Sequence, residues 1–287
     1  MIYLLLSILS SSVIFVTFKV TERFKTNLIK LITVNYLVAA ILGFSFNRYS
    51  ISISHLLTSG WLPFAFIIGF SFIVMFFLIG YSIRKSGITV TTIAGKMSMV
   101  IPILFSMLYF SEKNSFLKTT GLILATSAVL LSSYKPLDKK KNLVLVLLPI
   151  LIFLGSGTTD SVLKYAQTHF VTNSMSLLFA AMVFLFALLI GLIFIIFRPK
   201  SISNTITIPE LIGGSVLGIA NFGSLYFLIL ALNNSKLDSS IVFGLNNSCI
   251  VLFSILIGYL IFREKISKIN LTGIILAFIA IMILMKS

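Results

Sequence analysis

Residues 112–125 read EKNSFLKTTGLILA, and residues 264–277 read EKISKINLTGIILA. The two stretches agree at eight of fourteen positions without a gap, and the matches include the polar Glu, Lys, Ser and Thr. Drift among interchangeable apolar residues would not keep those four. Each copy follows one long apolar run and opens another, so the chain carries the same corner twice.

Outward from these corners the chain divides into ten apolar runs, at 2–18, 28–46, 62–83, 88–110, 116–134, 143–163, 174–197, 209–232, 239–262 and 269–285. Each is close to the roughly 20 residues that cross a bilayer as a helix. A transmembrane barrel would instead show alternating segments of about ten residues. The expected fold is an all-α membrane protein of ten transmembrane helices, in two five-helix repeats at 1–135 and 142–287. Because five is odd, the second repeat enters the membrane from the opposite side. Inverted-topology repeats of this kind place a binding site near the midplane, between the halves.

Composition agrees. Of 287 residues, 58% are hydrophobic and 10% charged, and the mean hydropathy is +1.12. Soluble domains are about 25% charged and under about 50% apolar, so a soluble chain of this kind could not cover its own surface. The 27 Phe supply lipid-facing bulk. Cys249, the single cysteine, excludes an internal disulfide and a cysteine metal site. The first run has no basic segment before it, and Lys19, Arg23 and Lys25 follow it, so it reads as a retained helix rather than a cleaved leader.

The net charge of +15 does not point to nucleic acid, because most Lys and Arg sit in short connectors. With Lys30 and Lys118, each two residues inside a run, counted with the adjoining connectors, the odd-numbered connectors hold fifteen of the 22 basic residues, and the even-numbered connectors with the termini hold six. The positive-inside rule then puts the odd connectors in the cytoplasm and both termini outside. The expected location is the inner or plasma membrane of the cell, as a multi-pass protein.

The remaining basic residue, Lys96, lies eight residues into the fourth run, about 12 Å along a helix. A lysine at a span centre costs about 2.5–3.5 kcal/mol. It therefore either faces a wet cavity, where it binds a carboxylate or phosphate of a substrate, or forms a structural pair, or snorkels to the interface. Asp160 follows Gly155-Ser-Gly-Thr-Thr in the sixth run. Small residues there allow close helix approach, and the acid is either a coupling or binding carboxylate or a solvated end-of-helix group pairing with Lys164. Runs four and six both start on the cytoplasmic side, which sets Asp160 outward of Lys96 and disfavours a direct salt bridge.

The other polar groups at depth are Asn35, Tyr36, Ser71, Ser98, Asn221, Tyr226, Asn246, Asn247 and Ser248. Each is either interhelical glue, worth about 0.6 kcal/mol on average, or a substrate contact. The repeat aligns Asn246-Asn247-Ser248 with Ala94-Gly95-Lys96, which would set the two triplets on facing walls of one cavity. Glu112 and Glu264 end their helices beside Lys113 and Lys265. Their expected role is structural, fixing the turn and capping the next helix start. Gly214 and Gly218 form a small-xxx-small packing pattern.

An enzyme is not expected. The chain has seven acids and two histidines, His55 and His169, both in connectors. No His/Cys/Asp cluster has metal spacing, and no phosphate loop or nucleophile elbow appears. No cofactor and no metal are expected.

Two five-helix halves, each ending its fourth helix on Glu and carrying Gly in its fifth, resemble the EamA-type family of the drug/metabolite transporter superfamily. The residues are Phe110-Ser-Glu112-Lys with Gly121, and Phe262-Arg-Glu264-Lys with Gly273. Pro102 fits the pattern, while Ser254 stands at the matching position of the second half, a departure. The resemblance spans nearly the whole chain. It implies a cavity lined by helices 1, 3, 4, 6, 8 and 9, and export of a small amino-acid-like metabolite by alternating access. In that frame Lys96 binds anionic groups, Asn246, Asn247, Asn221, Ser98, Asn35 and Tyr226 contact the remainder, and Asp160 couples to protons. The rival readings are a lipid-linked-sugar flippase component, which needs an opening toward lipid, and a non-transporting scaffold or sensor, whose interior would be packed shut. The partners implied are a small-molecule substrate and the lipid bilayer, with a homodimer allowed and nucleic acid excluded.

Overall fold

The computed structural model describes residues 2–49, 56–109, 115–133, 143–197, 205–234 and 239–284. Among them the chain is helical without strands: α1 Ile2–Glu22, α2 Leu28–Phe46, α3 Leu62–Ser86, α4 Ile88–Met97, α5 Val100–Tyr109, α6 Phe116–Ser133, α7 Leu143–His169, α8 Ser176–Ile196, α9 Ile208–Asn234, α10 Ser239–Leu260 and α11 Lys268–Leu284. Together α4 and α5 make up the fourth run, so these are ten helical spans. Seven are long and apolar enough to cross a membrane by themselves. Glu112, His55 and the basic connector 135–141 lie outside the described residues.

Local chemistry sets the helix limits. Asn27 caps α2, its side-chain oxygen accepting from the backbone N–H of Ile29 and Lys30. Pro63 sits in the first turn of α3, where its missing N–H costs nothing. Gly87 ends α3 at φ 102°, a backbone state that disfavours any residue with a Cβ.

Packing joins helices far apart in sequence. Among the described residues α1 lies along α9, α2 against α8 and α9, and α3 against α7 and α8, while α4 crosses α10 and α6 lies along α11. Small residues make these approaches possible. A Cβ on Gly43 would stand 2.9 Å from the Cβ of Ala181, and one on Gly218 would stand 2.6 Å from the carbonyl oxygen of Asn35. A Cβ on Gly273 would collide with the backbone nitrogen of Ser132, so α11 seats directly on α6. Asn270 locks that seat by donating to the carbonyls of Leu131 at 3.2 Å and Ser132 at 2.8 Å, orphan acceptors at the end of α6.

The core is built from inward aromatic and aliphatic groups such as Phe18, Tyr36, Leu31 and Phe184, all buried. The outer faces carry exposed Phe66, Phe70, Leu151, Ile193 and Phe194. Large apolar side chains facing outward along most spans are what a chain dissolved in lipid presents.

Candidate substrate cavity

The fourth span is broken at its middle. Pro102 has no N–H, and its ring displaces the carbonyl four residues earlier, that of Ser98. The ladder tightens there, Ile101 N–H donating to Ser98 O three residues back at 3.0 Å, and the ordinary four-residue spacing resumes with Ile103 N–H donating to Met99 O at 3.2 Å. The Ser98 hydroxyl turns back to Gly95 O at 2.6 Å. The result is a ten-residue α4 that stops at Met97 and a separate α5. Lys96 stands in the last turn of α4, where the negative end of the helix dipole favours a cation. Interrupted helices of this kind line the sites of inverted-repeat carriers.

Asp160 is on α7, which passes α4 and α5. Its neighbours Gly155 and Gly157 fit against Met75 of α3 and Ile101 of α5, where a Cβ would clash. The small residues before the acid therefore do seat α7 in the bundle. The lipid face of α7 is marked by exposed Leu147, Leu151 and Leu154. Asp160 lies nine residues after Leu151, about 180° around a helix of 3.6 residues per turn. It is nevertheless exposed.

Lys96 is half-buried. It and Asp160 form no ion pair; among the described residues the ion pairs given by geometry are Lys19–Glu22 and Lys30–Glu210. Asn247 of α10 reaches the same break, its Nδ2 lying 3.9 Å from Met99 Sδ. Asn246 is buried, with its Oδ1 lacking a partner. Of the Ser248 side chain nothing is described. Lys96, Ser98, Asn247 and Asp160 thus gather around the interruption of the fourth span.

The other expected residues lie elsewhere. Asn221 of α9 donates to Asn35 Oδ1 of α2 at 3.3 Å, both buried, with Asn35 Nδ2 left unpartnered. Tyr226 packs its ring on Phe222 and Phe46, centroids 5.3 Å from each. These three belong to the α2–α9 seam. Gly121 is buried on α6. Glu264 does cap a helix start, but that of α4 in the other half: its Oε1 accepts from Ile88 N–H at 2.6 Å and its Oε2 from Thr89 N–H at 3.2 Å.

Two features escape a reading by residue type. Lys30, which looks like a connector charge, is buried with Glu210 at 3.6 Å and donates to Thr205 O at 2.6 Å. Its position two residues inside the second run was the available signal. A hollow of about 490 Å³ opens between α3, α5 and α7, lined by Phe64, Ile101, Phe105, Tyr109, Thr158, Ser161, Val162 and Tyr165. Thr158, Ser161, Val162 and Tyr165 lie on the lipid-facing side of α7, away from Asp160.

Comparison with known proteins agrees with this architecture. An uncharacterized protein of Haemophilus influenzae is 30% identical over 209 residues, which is 72% of this chain and 69% of the relative. A protein of known crystal structure superposes with a TM-score of 0.62 at 15% identity, over 98% of this chain and 95% of the other, a likeness of fold alone. Residues 143–286 match the model of the EamA-like transporter family. With half of its length matched by that model, and helices that suit a multi-pass membrane protein, this chain belongs to the EamA-like transporter family.

Proposed function

We propose that the protein exports a small zwitterionic, amino-acid-like metabolite across the cell membrane by alternating access of two inverted five-helix halves. The carrying observation is that half-buried Lys96 and exposed Asp160 stand on contacting helices at the interruption of the fourth span and form no ion pair. A cation and an anion held apart on an open cavity match a solute with a carboxylate at one end and an ammonium at the other. Asn247 supplies a hydrogen-bonding group beside Lys96. Asp160, once released by the solute, is the group that would carry a coupling proton.

The packing pattern supports the inverted halves. Exchanging each span for the one five places on turns α1–α9 into α7–α3, and α2–α9 into α8–α3. The α2–α8, α4–α10 and α6–α11 contacts map onto themselves. The test of the substrate class is a thermal-shift series on purified protein. Amino acids should stabilise it by mass action, and the corresponding amines and carboxylic acids, each lacking one charge, should not. Stabilisation by the single-charge compounds to the same degree would rule out the zwitterion.

One observation favours a second reading. The hollow between α3, α5 and α7 is lined mostly by apolar and aromatic side chains, and a flippase for lipid-linked sugars would need such an opening toward lipid. Stabilisation by a polyprenyl-linked sugar with none by amino acids would select that function instead.

A further inference from the structure

We infer that Glu264 is a positioning residue for Lys96: it ties α4, although α4 belongs to the first half, to the α10–α11 corner of the second. The consequence for the solute rests on the cavity reading above; the mechanical claim stands on geometry.

α4 is a short rod with a joint at each end. Its start is Gly87, at φ 102°, a residue that frees it from the direction of α3. Its end is the Ser98–Met99 interruption before Pro102. The first N–H groups of a helix have no partner within the helix. Here two of them, those of Ile88 and Thr89, are taken by one carboxylate from 175 residues or more away. The approach is close enough to require glycine on both sides: a Cβ on Gly87 or on Gly258 would stand 2.7 Å from a Glu264 oxygen. Glu264 itself is held, its N–H donating to Gly258 O at 2.9 Å. A charged cap on the positive end of the α4 dipole is a strong, directional link.

Lys96 is eight residues from that cap on the same rod. Movement of the α10–α11 corner is therefore transmitted along α4 to the ammonium, with the two joints absorbing the change. The acid at the second copy of the corner thus serves a helix far from it in sequence rather than the next one.

The test compares native protein with Glu264→Ala and Glu264→Gln by hydrogen–deuterium exchange in detergent, a readout that needs no transported solute. Exchange of amides 88–97 should rise about fivefold or more in Glu264→Ala, as expected for a lost cap. The amides of α7 and α8 should be unchanged. Glu264→Gln, which keeps one good acceptor, should fall between. In parallel, acetylation of Lys96 by acetic anhydride, read by mass spectrometry against Lys85, should change at least about threefold in Glu264→Ala. Native-like exchange in 88–97, or an equal rise in every helix, overturns the assignment. A native protein in which Lys96 never reacts would count against the cavity, while the exchange pattern still decides the cap.

Discussion

Gly157 of α7 meets Ile101 of α5 so closely that an added Cβ would lie 2.5 Å from Ile101 Cδ1. This contact closes the seam that separates the inward face bearing Asp160 from the hollow between α3, α5 and α7. Gly157→Val places branched bulk in the seam, and overpacking costs about 1–3 kcal/mol. The melting temperature of the purified protein should fall, whereas Ser156→Ala, on the inward face, should leave it near native.

Lys30 and Glu210 are a buried pair, with side chains 4% and 5% exposed. Glu210 also accepts from the N–H of Asn27 at 2.9 Å and of Thr207 at 2.8 Å. Lys30→Met removes the cation and leaves a buried carboxylate with two backbone donors. Stranding a buried charge costs about 3–5 kcal/mol, and those donors place this case toward the lower figure. Chemical or thermal unfolding in detergent measures it. Loss under about 0.5 kcal/mol would show the pair to be dispensable.

The charge asymmetry of the connectors makes the orientation testable. A reporter enzyme fused after Ser287 should behave as external, and one inserted between Lys139 and Lys141 as cytoplasmic. The reverse pattern would invert the orientation and leave the helix packing intact.

Much of this was legible in the residues. Ten apolar runs and a repeated corner were enough to foresee the helical spans, since length and hydropathy alone dictate what crosses lipid. The interruption at Ser98–Met99 was half visible: Pro102 marks it, yet the run 88–110 reads as continuous because hydropathy is blind to backbone geometry. The target of Glu264 was not visible. A carboxylate at a corner is most simply assigned to the next helix in sequence, but tertiary packing brought α4 closer than the start of α11. Asn35 and Asn221 are the same residue type as Asn247, and only the arrangement of α2, α9 and α10 sets the first two in a buried seam and leaves the third half-buried beside Met99.

The account turns on Lys96 and Asp160 acting on a solute between them. The most direct test is uptake of labelled amino acids into proteoliposomes holding native protein or Lys96→Met. Lys96→Met should abolish uptake with expression and melting temperature close to native, because removing a desolvated charge that has no structural partner does not weaken the fold. Full transport by Lys96→Met would contradict the role assigned to it, and so would loss of folding by about 3–5 kcal/mol, the mark of a structural pair.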